Sequence, residues 1–133
     1  MTKTESESGR PIMTLDDTIQ HATDSPLDPR VTDAFCTGAA ISIEEFCDRV
    51  SRTVAVRYIL REYIFEFCDG VVNEIYAYML RTHEVIPSAF SMSVFLAFDD
   101  GEYAHTGDPP GPSSEELYTR PRIAEILAGG KAT

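Results

Sequence analysis

The sequence predicts an all-α protein: a compact bundle of about five helices around a long central helix, or a broken helix pair, at 43–82. Three observations predict this fold. Helix-capping residues precede several apolar stretches, polar residues between 54 and 82 recur every three or four positions, and hydrophobic residues make up 43% of a 133-residue chain, which is enough for one core. We expect the polar residues 1–10 to form a flexible tail and residues 11–130 to form a single helical domain.

Two short helices are predicted before the central element. Thr14 and Asp17 have the spacing of a capping box, so the first helix begins there. Two prolines in "DSPLDPR" end it. Asp28 followed by Pro29 predicts an N-cap and first turn for the second helix, which we expect Gly38 to end.

The central element begins at Ser42, because Glu45 follows three residues later and completes a capping box. The β-branched and aromatic residues of "TVAVRYILREYIFEF" would suit strands, but the polar positions follow a helical period. These positions form one predicted solvated stripe: Arg57, Arg61, Glu62, Glu66, Asp69, Asn73, Glu74 and Arg81. Gly70 either kinks this helix or separates two helices, and the sequence leaves both readings open.

The last third is predicted to hold a buried helix, a loop and a final short helix. Pro87 and Ser88 begin the buried helix, and Gly101 suits a left-handed residue at its end. Prolines and glycines in "AHTGDPPGPSS" prevent a helix there. Ser113 or Ser114 caps a short turn, and Thr119 is the predicted N-cap of the last helix.

The net charge of −11, from 22 acidic and 11 basic residues, limits the classes of molecule that the protein is expected to bind. It argues against nonspecific nucleic-acid binding, which needs a basic face to displace counterions, and against docking on anionic lipid. No run of about 18 apolar residues exists to span a membrane. A basic protein partner is compatible with this charge, and so is simple solubility.

The three cysteines Cys36, Cys47 and Cys68 contain no C-x-x-C pair, which excludes a zinc ribbon and a thioredoxin-type motif. Each lies among apolar residues and is predicted to fill the core. The N-terminal residues "MTKTESESGRPIM" have no apolar run, so we expect no signal peptide. A reducing cytoplasm is the predicted compartment.

The stretch "FDDGEYAHTGD" at 98–108 contains four carboxylates and one histidine. Read from Asp99 as a calcium loop it fails, because glycine falls third and other ligand positions hold alanine and threonine. No second histidine or cysteine accompanies His105 for zinc. We therefore expect no metal and no cofactor. Since a helix C-terminus disfavours anions, we expect Arg120 and Arg122 to fold back and pair with Asp99 and Asp100.

The wider segment from 82 to 119 contains seven acidic residues and no lysine or arginine. It is either a solvated acidic loop or a docking face, and tyrosines favoured at interfaces flank it. The predicted partner-binding residues are Asp99, Asp100, Glu102, Tyr103, Asp108, Glu115, Glu116 and Tyr118. No catalytic residue is predicted, because no nucleophile elbow, phosphate loop or dinucleotide fingerprint occurs.

The functional hypothesis that fits these features is a non-enzymatic acidic protein-binding domain. Its sharpest form is an inhibitor or immunity-type protein that masks a basic partner such as a nuclease toxin. The alternative is a small ligand-binding protein or enzyme that uses the acidic 98–108 loop with Asp69 or Glu66. A third hypothesis is a structural homodimer that buries part of the apolar helix surface.

Overall fold

The computed structural model describes residues 14–24, 28–83 and 86–129. Its helices are α1 (Leu15–Asp24), α2 (Pro29–Ala39), α3 (Ile43–Ile59), α4 (Phe65–Tyr78), α5 (Ala89–Asp100) and α6 (Arg120–Leu127). A π-helical turn, Met79–His83, extends α4, and a second, Glu115–Thr119, leads into α6. The described ranges contain no strand, so the all-α prediction is confirmed, with six helices in place of about five.

Most helix starts follow the predicted caps. The carboxylate or hydroxyl of each of the following residues accepts a backbone N–H of the first helical turn: Thr14, Asp28, Ser42, Ser88 and Ser113. At the first of these, the Thr14 N–H also donates to Asp17 Oδ2 at 3.2 Å, which completes the capping box. Each such cap stabilises its helix by about 1 kcal/mol.

The break in the central element lies at 60–64 and not at Gly70, which is an exposed residue within α4. Arg61 has φ +64°, the Arg61 N–H donates to Tyr58 O at 3.0 Å, and the Glu62 N–H donates to Arg57 O at 2.8 Å. This pair of bonds is a Schellman motif, which ends a helix at a left-handed residue. The predicted polar stripe is therefore divided between two helices.

The end of α2 departs from the prediction in the same way. Gly38 remains helical, and the left-handed residue is Ala40 with φ +58°. The Ala40 N–H donates to Thr37 O and the Ile41 N–H donates to Cys36 O, again the Schellman pattern. Two helices thus end on residues with side chains, at positions where glycine is the usual choice.

Gly101 and Thr119 also have roles other than the predicted ones. Gly101 has φ −86° and is not left-handed, and Thr119 makes no side-chain cap. A Cβ on Gly101 would overlap Thr119 Oγ1 and come within 3.0 Å of Phe65. Thr119 Oγ1 donates to Ala97 O at 2.7 Å in a buried position. The glycine is therefore needed for close approach of the chain that leads into α6.

The core lies where α3, α4 and α5 pack against one another, with α1 against α4 and α6 against α3 and α5. Tyr58 and Phe98 meet edge to face, with ring centroids 5.1 Å apart. Cys47 and Cys68 are buried free thiols, and Cys36 is a half-buried one. The buried apolar residues that form the cluster are Ile19, Ala22, Phe46, Cys47, Val50, Val54, Ala55, Tyr58, Cys68, Val71, Val72, Ile75, Tyr78, Met79, Val94, Ala97, Phe98, Ile123 and Ile126.

The helices of the described residues include none that combines the length and the apolarity needed to cross a membrane. The predicted tail at 1–10 lies outside the described residues.

Candidate functional site

The acidic loop after α5 is folded on itself through a tight turn at 105–108. The Asp108 N–H donates to His105 O at 3.1 Å, and Asp108 Oδ2 accepts the His105 N–H at 2.8 Å. Gly107 has φ +89°, a conformation that a third turn position adopts in a type II turn and that favours glycine. The proline-rich segment therefore begins from a fixed backbone geometry.

Three rings hold this turn against α5 and the second π-helical turn. The His105 ring lies between Tyr103 and Tyr118, with ring centroids 4.6 and 4.2 Å away. His105 Nε2 lies 2.9 Å from the backbone O of Asp100, one of the last carbonyls of α5. The Tyr118 hydroxyl donates to Asp108. His105 is therefore a structural residue of the loop, held by rings and a backbone carbonyl.

The hydrogen bond between Tyr118 and Asp108 also shifts the pKa of each residue. The Tyr118 hydroxyl, followed by the His105 N–H, lowers the pKa of Asp108, and the Asp108 carboxylate raises the pKa of Tyr118. Asp108 is the hydrogen-bonded anion that organises the loop.

A second group of carboxyls lies where this loop meets α4. Asn73 Nδ2 donates to Glu102 Oε2 at 3.2 Å, which joins α4 to the residue just after α5. Burial, then a hydrogen bond and the charge of Glu102, and then the charge of Asp99, raise the pKa of Asp69 to about 7. Asp69 Oδ1 is buried without a hydrogen-bond partner among the described residues.

Asp99 is affected in the same direction. Burial, followed by the charges of Glu102 and Asp100, raises its pKa. The charges that act on it come from other acids, so they make the ionisation of Asp99 more costly. The junction of α4 and α5 is thus a concentration of negative charge.

The predicted ion pairs of Arg120 and Arg122 with Asp99 and Asp100 are not the ones that form. Arg120 Nη2 lies 3.8 Å from Glu115 Oε2, and Arg122 Nη1 lies 2.7 Å from Glu125 Oε1. Both partners are nearer in sequence, so the arginines are paired within the segment that contains α6 and the turn before it.

The eight predicted partner-binding residues divide into two sets. Asp99, Asp100, Glu102, Tyr103, Asp108 and Tyr118 surround the loop and its turn, and with Asp69 they are called the acidic face below. Glu115 does not join this face, because it accepts a hydrogen bond from the Tyr58 hydroxyl at 2.7 Å and lies beside Arg120. Glu116 closes a capping box with Ser113.

Comparison with protein-family models, curated proteins and solved structures gave no match for this chain. Asp100, Glu102 and Tyr103 are exposed, and Tyr103 leaves 53% of its surface accessible.

Within the described ranges, no group of three or more histidine, cysteine, aspartate or glutamate residues is placed to hold a metal ion. The arrangement of carboxyls on the acidic face is suited to attract cationic groups in solution, and Asp69 is suited to exchange a proton near neutral pH.

The sequence joins Asp69 to the 98–108 loop only in the alternative hypothesis of a ligand site or enzyme, and it does not predict the bond from Asn73 to Glu102. The main hypothesis placed both Asp69 and Asn73 on a solvated stripe. Their spacing of four residues places them on the same side of α4, which was the available signal. This spacing could not identify the contact with Glu102, because Glu102 is 29 residues beyond Asn73 in the sequence.

Proposed function

We propose that the protein binds a basic protein partner through the acidic face. The observation that supports this most directly is that burial, followed by neighbouring acidic charges with Glu102 first among them, raises the pKa of both Asp69 and Asp99. A lysine or arginine of a partner placed beside them would reverse this effect and stabilise all three anions.

The loop also provides an ordered apolar contact. Tyr103 is 53% exposed, yet its ring stacks on His105 at 4.6 Å, so its position is defined before any partner binds. An anchor that is already ordered loses less conformational entropy on binding, and tyrosine is enriched among such anchors. Tyr103 is the proposed centre of the contact, with Asp100 and Glu102 as its charged rim.

The sharper form of the proposal is an inhibitor or immunity-type protein that masks a basic partner such as a nuclease toxin. The net charge of −11 supports it, because opposite net charges speed the encounter of two proteins. The three free thiols agree with a reducing compartment such as the cytoplasm.

The experiment compares two double charge reversals with equal change in net charge. Asp100→Lys with Glu102→Lys alters the acidic face, whereas the control, Asp33→Lys with Glu44→Lys, alters exposed acids on α2 and α3. Asp108 is left unchanged because it holds the loop together. Proteins captured from host lysate by the wild type are identified, and their association rates are measured over a range of salt concentrations.

We expect basic partners that bind the wild type and the control, fail to bind the acidic-face variant, and associate more slowly as salt rises. Lowering the pH from 8 to 6 should weaken binding further, because protonation of Asp69 removes a charge that the partner needs. Equal capture by both variants would contradict the proposal.

A second candidate function rests on Asp69 alone. A carboxyl with a pKa of about 7 suits a general acid or base, so the face could serve a small ligand or a reaction. This alternative predicts that Asp69→Asn abolishes turnover or ligand binding with no protein partner present. A screen of the purified wild type and Asp69→Asn proteins against small molecules separates the two functions.

A further inference from the structure

A depression of about 280 Å³ lies beside the turn between α3 and α4, and none of the acidic-face residues lines it. Arg61 and Arg120 line it together with Tyr63, Ile64 and Phe65. Glu66 and Glu115 also line it. Its volume is near the lower end of the range for ligand pockets, roughly 300–1,000 Å³.

Arg61 stands apart from the other arginines of the described residues. Six of those form ion pairs, and the seventh, Arg52, lies over the Phe90 ring. Arg61 is exposed and makes neither kind of contact. It also holds a left-handed backbone, with φ +64°, which an arginine rarely adopts. Among the described residues, Arg61 is therefore an arginine of the depression whose guanidinium has no acidic partner and whose backbone direction is set by its left-handed conformation.

Arg120 is held in place but keeps donor capacity. Its guanidinium lies 4.2 Å from the centre of the Tyr58 ring, and only 23% of its side chain is exposed. The distance of 3.8 Å from Arg120 Nη2 to Glu115 Oε2 is an ion pair too long for a hydrogen bond, and Arg120 Nη1 donates to Tyr58 O at 3.5 Å. A guanidinium has five N–H donors, so Arg120 can bind a further anion.

The apolar part of the depression is equally open. Ile64 is 68% exposed and Phe65 is half-buried, and the two adjoin the guanidinium groups. The two arginines and two glutamates that line the depression cancel in charge, which disfavours a ligand with several negative charges. One negative charge attached to an apolar body satisfies both parts of the lining.

We propose that this depression binds a small organic monocarboxylate whose apolar body packs on Ile64 and Phe65 and whose carboxylate lies between Arg61 and Arg120. A planar guanidinium matches a carboxylate with two parallel N–H donors, and this geometry favours arginine over lysine at such sites. The function proposed above for the acidic face does not depend on this site.

The probe is phenylacetate, with phenylacetamide as its neutral isostere and acetate as the anion without an apolar body. Each is titrated into ¹⁵N-labelled protein and followed by NMR. We expect phenylacetate to shift the amide signals of residues 61–66 and 115–120 saturably and to bind at least about tenfold more tightly than either control compound. Arg61→Gln should weaken phenylacetate binding by about tenfold or more, whereas Arg49→Gln, at an exposed arginine on α3, should not.

Arg61→Gly provides a variant that keeps the fold, because glycine adopts a positive φ without strain. It should bind phenylacetate as weakly as Arg61→Gln while its amide spectrum remains that of the folded protein. Absence of saturable binding, equal affinity for phenylacetamide, shifts that map elsewhere, or unchanged affinity in the Arg61 variants would each overturn the proposal. Binding of peptides with a free C-terminus, without binding of phenylacetate, would also overturn it and indicate a protein ligand.

Discussion

Replacing Asp69 by asparagine should stabilise the protein at alkaline pH and not at acid pH. The pKa of Asp69 rises from its ordinary 3.8 to about 7 in the folded protein, first because of burial and then because of Glu102 and Asp99. Between these two values the unfolded chain releases a proton that the folded protein keeps. Stability therefore falls as the pH rises from about 4 to about 7, and the loss is complete above pH 7.

The magnitude follows from the pKa change. The full change corresponds to about 4 kcal/mol at about 1.36 kcal/mol per pH unit. Asp69 keeps partial contact with solvent, which screens its neighbours, so we expect about 1–2 kcal/mol to be realised. The Asp69→Asn variant avoids this loss because its amide is neutral and can donate to Glu102 at every pH.

Urea unfolding of the wild type and the variant at pH 5, 6, 7 and 8 measures the effect. The variant should gain about 1 kcal/mol relative to the wild type between pH 5 and pH 8, since the first part of the loss falls below pH 5, and this is a midpoint shift of about 0.5 M for a slope of about 2 kcal/mol/M. Asp33→Asn, at an exposed aspartate of α2, serves as the control and should show no such change with pH. A stability difference that is the same at pH 5 and pH 8 would refute the argument that Asp69 resists ionisation.

Three further predictions test the packing and the chemistry of the fold. Gly101→Ala should destabilise the protein by about 1–3 kcal/mol, since the added methyl overlaps Thr119. Gly70→Ala should stabilise it by about 0.5–1 kcal/mol, because its site in α4 is open. Thermal unfolding compares the two variants, and equal effects would contradict the close approach at Gly101. Burial raises the pKa of Cys68 to about 12 and also raises that of Cys47, so a thiol reagent at pH 8 should label half-buried Cys36 first. Mass spectrometry of early digests measures the labelling, and equally fast labelling of Cys68 would disprove this prediction. Added Ca²⁺, Mg²⁺ or Zn²⁺ should leave the melting temperature unchanged, whereas a site occupied at 100 times its Kd would add about 2.7 kcal/mol and reveal a metal centre.

The helix starts could be predicted from the sequence because an N-cap is local. A hydroxyl or carboxylate at the cap, such as that of Ser42, bonds to an N–H only two or three residues away. The helix ends at Arg61 and Ala40 could not be predicted in this way. A left-handed residue with a side chain costs about 1–2 kcal/mol, so it persists only where tertiary packing of the flanking helices outweighs that cost.

The candidate site likewise has local features that the sequence predicts and long-range contacts that it does not. The run of acids after α5 is visible in the sequence, and so is the turn chemistry of Gly107. The contact of Asp69 with Glu102 depends on how α4 lies against α5. Glu115 is not part of the acidic face because it accepts a hydrogen bond from Tyr58, which is 57 positions away in the sequence. Such long-range contacts follow from the packing of the whole bundle, which local spacing does not specify.

The contact between Gly101 and Thr119 has a consequence for how this protein can diversify. The chain leaves the core at Gly101 and returns at Thr119, and these two residues touch, so the segment between them begins and ends at one point of the bundle. Doubling the length of such a closed segment costs only about 0.6 kcal/mol in loop entropy. Insertions and deletions in the exposed tip of this segment, residues 109–112, should therefore leave the helices and the Glu115 contact with Tyr58 intact, so the scaffold can vary this part of its surface over evolution or in the laboratory.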